Sequence, residues 1–332
     1  MLKSSRPHIA LIATGGTIAG QAENGCLASQ YKAGVIGVAG ICSAVPGLSD
    51  IAHICMEQFS NIDSKDIDLE TWKRLAVHVD SVAARPDIDG IVVTHGTDTL
   101  EETAFLLHLV LKTKKPVVIT GAIRPANAMS ADGPMNLHDA VTVAAAECSR
   151  GLGVLVVADS HIHSARNVIK RATSGVAAFS SGEQGVLGNV YDDRVVISHR
   201  VVQPHTSASV FSMENGLALV EVVLSYGGAS CAALEGILSS ETKGVVIAGV
   251  GCGSIPENIT RRLADASANG VTVVRASRAG QGPVLRNVVD DALGFIVAGS
   301  LNVYKARILL MLVLGLRPQI DRITIQDFFD RY

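Results

Sequence analysis

The stretch Ile91-Val92-Val93-Thr94-His95-Gly96-Thr97-Asp98-Thr99-Leu100-Glu101-Glu102-Thr103-Ala104 decides the architecture. Three β-branched apolar residues make a strand that reads as buried on both faces. The polar cluster that follows ends the strand, and Glu101 and Glu102 open an amphipathic helix whose positive end favours acidic residues. In an open α/β sheet, ligands bind outside the carboxyl ends of strands. Here that end presents Thr97, a candidate nucleophile or proton relay, beside Asp98, a candidate anchor for an ammonium group. A second segment has the same form: Ile9-Ala10-Leu11-Ile12-Ala13 runs into Thr14-Gly15-Gly16-Thr17-Ile18-Ala19-Gly20. Two strand ends, each presenting a hydroxyl, point to an active site that needs neither metal nor cofactor.

Outward from these segments, apolar runs of strand length alternate with helical periodicity, the pattern of βαβ units and a mainly parallel sheet. Strands are expected over 9–13, 54–59, 90–94, 116–120, 152–158, 218–224, 244–249 and 271–275. Helices are expected over 68–83, 98–112, 136–149, 257–268 and 302–315. Residues 198–216, with Pro204 and several polar residues, read as a linker. The expectation is therefore an α/β protein of two doubly wound domains, a larger one over 1–197 and a smaller one over 217–332.

A chain of 332 residues with 48% hydrophobic and 18% charged residues has a generous core and room for two domains. A net charge of −3 offers no electrostatic footprint for nucleic acid or an anionic membrane. The longest apolar runs, such as Ile308 to Leu316, are too short to span a bilayer. Met1 to His8 passes from a polar tail into the first strand without an apolar leader, so a cytoplasmic protein is expected.

Several familiar signals fail. The six cysteines (Cys26, Cys42, Cys55, Cys148, Cys231 and Cys252) lack a CxxC pair or zinc-ligand spacing. His161 and His163 have no third ligand at persuasive spacing, so no metal site is expected. Gly15 to Gly20 lacks the Lys-Ser/Thr of a phosphate loop. Pro256 stands where the last glycine of a dinucleotide fingerprint beginning at Gly251 would be. Ser240-x-x-Lys243 lacks the companion elements of penicillin-recognising enzymes.

Together the two opening segments resemble the signature motifs of the bacterial-type L-asparaginases, within the asparaginase/glutaminase family. The likeness runs through Ser29-Gln30-Tyr31, Asn61-Ile62-Asp63-Ser64-Lys65-Asp66, Gly121-Ala122-Ile123-Arg124-Pro125 and Met129-Ser130-Ala131-Asp132-Gly133-Pro134. It continues in Ala248-Gly249-Val250-Gly251 and Lys305-Ala306-Arg307. The resemblance implies a threonine-dependent amidohydrolase that releases ammonia from asparagine, sometimes also from glutamine; the alternative is a catalytically weak amino-acid-binding or complex-forming relative. It also implies a homotetramer built as a dimer of dimers.

Residue by residue, the resemblance makes Thr17 the nucleophile, where the motif alone would suggest a helix cap or phosphate-loop threonine. Tyr31 becomes the group that accepts its proton. The preceding Asn24 to Gln30, rich in small residues, suits a lid that shuts out water. Thr97, Asp98 and Lys170 form a second catalytic set, with Asp98 also holding the substrate's α-ammonium. Without the resemblance, Asp98 would read as a helix N-cap and Lys170 as a solvated lysine. Ser64 matches the serine that binds the substrate's α-carboxylate, and a turn or cap role is its plain alternative. Ser254 lies where the family extends a polar residue into a neighbouring subunit's site.

Two departures stand out. Lys65 occupies a position where relatives place an uncharged or acidic residue against the substrate amine. Val288 stands where many relatives have a glutamate, just before an Asp-Asp pair, that polarises the neighbouring subunit's tyrosine.

Overall fold

Every residue of Ile9–Ala13 is fully buried because its strand lies inside a sheet covered on both faces. The computed structural model describes residues 6–23, 30–317 and 319–332. The chain divides into two units, residues 1–210 and 211–332. The stretch read as a linker is shared between them, with short helical turns at Thr206–Ala208 in the first and Met213–Asn215 in the second.

Five parallel strands begin the first unit: β1 (His8–Gly15), β2 (His53–Ile62), β3 (Gly90–Thr94), β4 (Val117–Thr120) and β5 (Val154–Ala158). Three antiparallel strands extend the sheet: β6 (His161–Ser164), β7 (Gly188–Tyr191) and β8 (Arg194–Ile197). The sheet order is 8-7-6-5-4-3-1-2. Because β1 pairs with both β2 and β3, the chain changes direction of winding there. The carboxyl ends of β1 and β3 therefore flank a topological switch point, where α/β sheets bind ligands.

The sheet's inner positions fill its two faces alternately. Ile9, Leu11, Val92, Val118, Leu155 and Val157 pack in one core with Leu137, Ala140, Val141 and Ala144 of the helix Gly133–Ala145. That helix starts three residues before the expected position, with Pro134 in its first turn, where a missing N–H costs nothing. The helix Leu69–Ala84 buries Trp72, Leu75, Ala76, Val79, Val82 and Ala83 along one stripe. Asp68 caps its start by accepting from Thr71 N–H, and it stops ahead of Pro86. The helix Leu100–Val110 is buried at every position but Glu102.

Sequence patterning missed β6, β7 and β8. They are short, and two of their turns place Asp159–Ser160 and Asp192–Asp193 at positive φ. Such hairpin turns are usually marked by Asn-Gly or Asp-Gly, so neither turn announces itself.

In the second unit four parallel strands run in chain order: Val220–Leu224, Gly244–Gly249, Thr272–Ser277 and Ile296–Val297. Ile259 and Leu263 of the helix Glu257–Ala268 join Val245, Ile247, Val273 and Phe295 in its core. The helices Ala232–Leu238, Val288–Leu293 and Arg322–Arg331 were not evident from periodicity, being short or strongly polar.

Candidate active site

Two glycines bring the loops after β1, β2 and β3 together. Gly16 has φ of 77°, a conformation that suits glycine. A Cβ there would overlap the backbone of Gly96, and one on Gly96 would overlap the Ser64 side chain. Gly16 N–H also donates to Ile62 O at 2.9 Å. Thr17, Ser64 and Thr97 are thus gathered by backbone contact at the switch point.

Thr17 is buried and its Oγ1 lies 2.6 Å from the Tyr31 hydroxyl. The threonine is not a helix cap: the short turn Thr17–Ala19 is preceded by Gly16, with no side-chain capping bond. Tyr31 sits on the strand Tyr31–Lys32, paired antiparallel with Gln21–Ala22. Asn24–Ser29 of the expected lid lie outside the described residues.

Lys170 is not a solvated lysine. Its Nζ donates to Thr97 Oγ1 at 2.9 Å and to Asp98 Oδ1 at 2.5 Å, and its side chain is mostly buried. Asp98 does not cap the helix that follows, since Thr99 holds the cap position without a side-chain bond. The Asp98 carboxylate is instead shared between Lys170 and solvent, being 57% exposed and so open to a second cation. Buried Glu101 accepts the backbone N–H of Lys170 at 2.5 Å, tying the strand Ile169–Lys170 to the helix that starts beside Thr97. Sequence reading took Glu101 only as a dipole partner. The helix, expected to be amphipathic, is buried at every position but Glu102, and its run of apolar residues was the available signal.

Ser64 has a buried hydroxyl with no hydrogen-bond partner among the described residues. Capping is done by its neighbours, Asp63 for the turn Ser64–Asp66 and Asp68 for the next helix. An unpaired buried hydroxyl costs about 1–3 kcal/mol, which an anionic ligand would recover. Lys65, expected at the substrate amine, is engaged at the surface. Its Nζ lies 2.6 Å from Asp63 and 3.2 Å from Asp66, and its side chain is 61% exposed.

His95 lies beneath these groups, fully buried, and was passed over in the sequence. Its Nδ1 bonds the Gly96 carbonyl at 2.7 Å and its Nε2 meets Thr103 Oγ1 at 3.0 Å. Trp72 Nε1–H donates to that same hydroxyl at 2.8 Å. Thr103 therefore gives its proton to Nε2, and Nδ1 carries the ring's own. Burial pushes the imidazole down from 6.5 to about 4, against a smaller upward pull from the Gly96 carbonyl. On acidification the unfolded chain takes up this proton first. Stability is thus full above pH ~6.5 and falls toward pH ~4, by about 3 kcal/mol from this group. Denaturant midpoints across that window should fall, with His95 ring resonances staying those of neutral imidazole down to about pH 5. A ring that titrates at its ordinary value would contradict this.

Ser254 belongs to the second unit, where it is exposed and its backbone pairs with Val250. Further along the same unit, Asn287 caps the helix Val288–Leu293, whose Val288 is 82% exposed. The carboxylates after it are occupied, Asp290 by Arg275 and Asp291 by Arg286. His161 and His163 bond the Asp159 carbonyl and the Ser181 hydroxyl.

Comparison with known proteins bears on the chain as a whole. Residues 8–203 match the family model described as Asparaginase, N-terminal, and residues 219–329 match that of the Glutaminase/Asparaginase C-terminal domain. The chain belongs to the asparaginase family. It is 41% identical to L-asparaginase 2 of Bacillus subtilis (strain 168), covering 99% of this chain and 88% of that protein. It is 39% identical to the glutaminase-asparaginase of Pseudomonas fluorescens biotype A, over 94% of this chain and 87% of that one. A crystal structure of a probable cytoplasmic L-asparaginase from Campylobacter jejuni superposes with a TM-score of 0.95 at 41% identity, covering 99% of this chain and 100% of that one. The two-domain, mainly parallel α/β architecture is thus that of an asparaginase.

Proposed function

We propose that this asparaginase-family chain hydrolyses L-asparagine to L-aspartate and ammonia through an acyl-threonine intermediate. The observation that carries this reading is the 2.6 Å contact between Thr17 Oγ1 and the Tyr31 hydroxyl at the switch point. Thr17 Oγ1 attacks the side-chain amide carbon while Tyr31 takes its proton and passes it to the departing nitrogen. The C–N bond breaks, ammonia leaves, and an aspartyl ester of Thr17 remains. Water then adds to that ester, and its proton returns to Thr17 as aspartate is released. Lys170, bonded to Thr97 and Asp98, forms the relay that moves protons around the reacting centre. Backbone N–H groups at the strand-to-helix turns stabilise the oxyanion. Asp98 holds the α-ammonium and Ser64 the α-carboxylate. No cofactor is called for. Ammonia release by the purified chain tests the reading, and no release from asparagine at any concentration would end it.

Substrate choice follows from the α-end. Asparagine and glutamine differ by one methylene, worth about 1–3 kcal/mol in a fitted pocket. Glutamine has one more torsion to freeze and relies more on firm anchoring. Asparagine is expected to be preferred at least tenfold in kcat/KM, about 1.4 kcal/mol. Comparable values for the two amides would instead favour a broad glutaminase-asparaginase, the activity named for the Pseudomonas fluorescens relative. With its ammonium held by Asp63 and Asp66, Lys65 takes little part in this choice. Lys65→Gln is expected to move the ratio by less than about threefold.

The assembly is proposed to be a homotetramer of tight dimers, with Ser254 and the 286–291 segment completing a neighbour's site. Sedimentation should show the tetramer under assay conditions, and a fully active monomer would refute it. A cytoplasmic location is the accompanying proposal, supported by the name of the Campylobacter jejuni relative.

A further inference from the structure

Between two stretches that carry the family likeness, 121–125 and 129–134, lies Ala126-Asn127-Ala128, to which sequence analysis assigned nothing. In the structure Asn127 reaches 105 residues back along the chain. Its Oδ1 accepts Ala22 N–H at 2.8 Å and its Nδ2 donates to Ala22 O at 2.7 Å. One side-chain amide thus satisfies both backbone groups of a single residue, as a neighbouring strand would. Ala126 N–H adds a bond to Gly20 O at 3.0 Å.

Ala22 is the residue that faces Tyr31 in the two-stranded ladder. Among the described residues the ladder pairs Gln21 with Lys32 and Ala22 with Tyr31, and two such pairs are not stable by themselves. Its other side joins the nucleophile turn, where Gly20 N–H donates to Thr17 O at 2.8 Å. The support from which Asn127 reaches is firm. The Asp132 carboxylate accepts the N–H groups of Ile123 and Arg124 at 2.9 Å each, and the Arg124 guanidinium donates to Ser130 O at 2.8 Å.

We propose that Asn127 is a positioning residue that holds the Gln21–Ala22/Tyr31–Lys32 ladder, and through it the Tyr31 hydroxyl, against Thr17. The clamp stands on the geometry alone, and its effect on turnover rests on the proposed role of Tyr31. Asn127 is exposed, so truncating it opens no cavity in the core.

The test combines amide exchange with a double-mutant cycle. Asn127→Ala should speed hydrogen exchange at least tenfold in the peptides carrying Ala22 and Tyr31, with the strands of the main sheet unchanged. It should lower kcat/KM for asparagine about tenfold with the thermal midpoint held. In a Tyr31→Phe background the same substitution should cost less than twofold. Asn127→Asp keeps an acceptor for Ala22 N–H but sets an oxygen against Ala22 O in place of the donor, so it should not restore wild-type exchange or activity. Unchanged exchange in Asn127→Ala would overturn the clamp, whatever Tyr31 does. An equal loss of activity in both backgrounds would show that Asn127 acts elsewhere. Full activity in Tyr31→Phe alone would remove the role of Tyr31 while leaving the exchange result to judge the clamp.

Discussion

Thr17→Val is expected to bind asparagine and fail to turn it over. Valine keeps the branched shape that packs in the buried turn after β1 while removing the hydroxyl that meets Tyr31. The proposed substrate anchors, Asp98 and Ser64, are untouched, so affinity should change little. Turnover should fall at least a thousandfold, about 4 kcal/mol of lost barrier reduction. Isothermal titration with asparagine, beside ammonia release, separates the two effects. Retention of more than about a tenth of normal turnover would remove Thr17 from the role of nucleophile.

The second large effect belongs to the Lys170 cluster. Lys170→Met preserves an unbranched chain and removes the ammonium that joins Thr97 to Asp98. Positioned proton transfer contributes about 10²–10⁴ in rate, so kcat should fall at least a hundredfold. Thr97→Val should cost a similar amount, because the relay fails at whichever link is cut. The double substitution should then be little worse than either single one, since groups that act as a unit are not additive. Losses that multiply in the double variant would mean that Thr97 and Lys170 serve separate steps.

How much of this was legible in the sequence differs from residue to residue. The strands ending at Gly15 and Thr94 announced themselves, because the uninterrupted apolar runs 9–13 and 91–93 fit strands buried on both faces. The convergence of their ends did not, because it depends on the crossing of β1 between β2 and β3. Periodicity within one segment carries no information about which strand lies beside which. Ser64 and Lys170 illustrate the limit at the site. As sequence, each read equally well as a turn residue and a solvated lysine. Gly96, by admitting Ser64 against its backbone, and Glu101, by holding Lys170's amide, help to put them beside Thr97. Lys65 shows the opposite outcome. The family resemblance put it at the substrate amine, while two flanking carboxylates engage its charge at the surface. The segment β6 to β8 stayed hidden for a local reason, since Asp-Ser and Asp-Asp turns are weak hairpin signals.

The acyl-threonine intermediate is most directly tested by quenching asparagine turnover in acid and mapping the chain by mass spectrometry. The expected result is one aspartyl group on the peptide that contains Thr17, absent without substrate and absent in Thr17→Val. An aspartyl group on the peptide containing Thr97, or turnover with no acylated peptide at all, would contradict it.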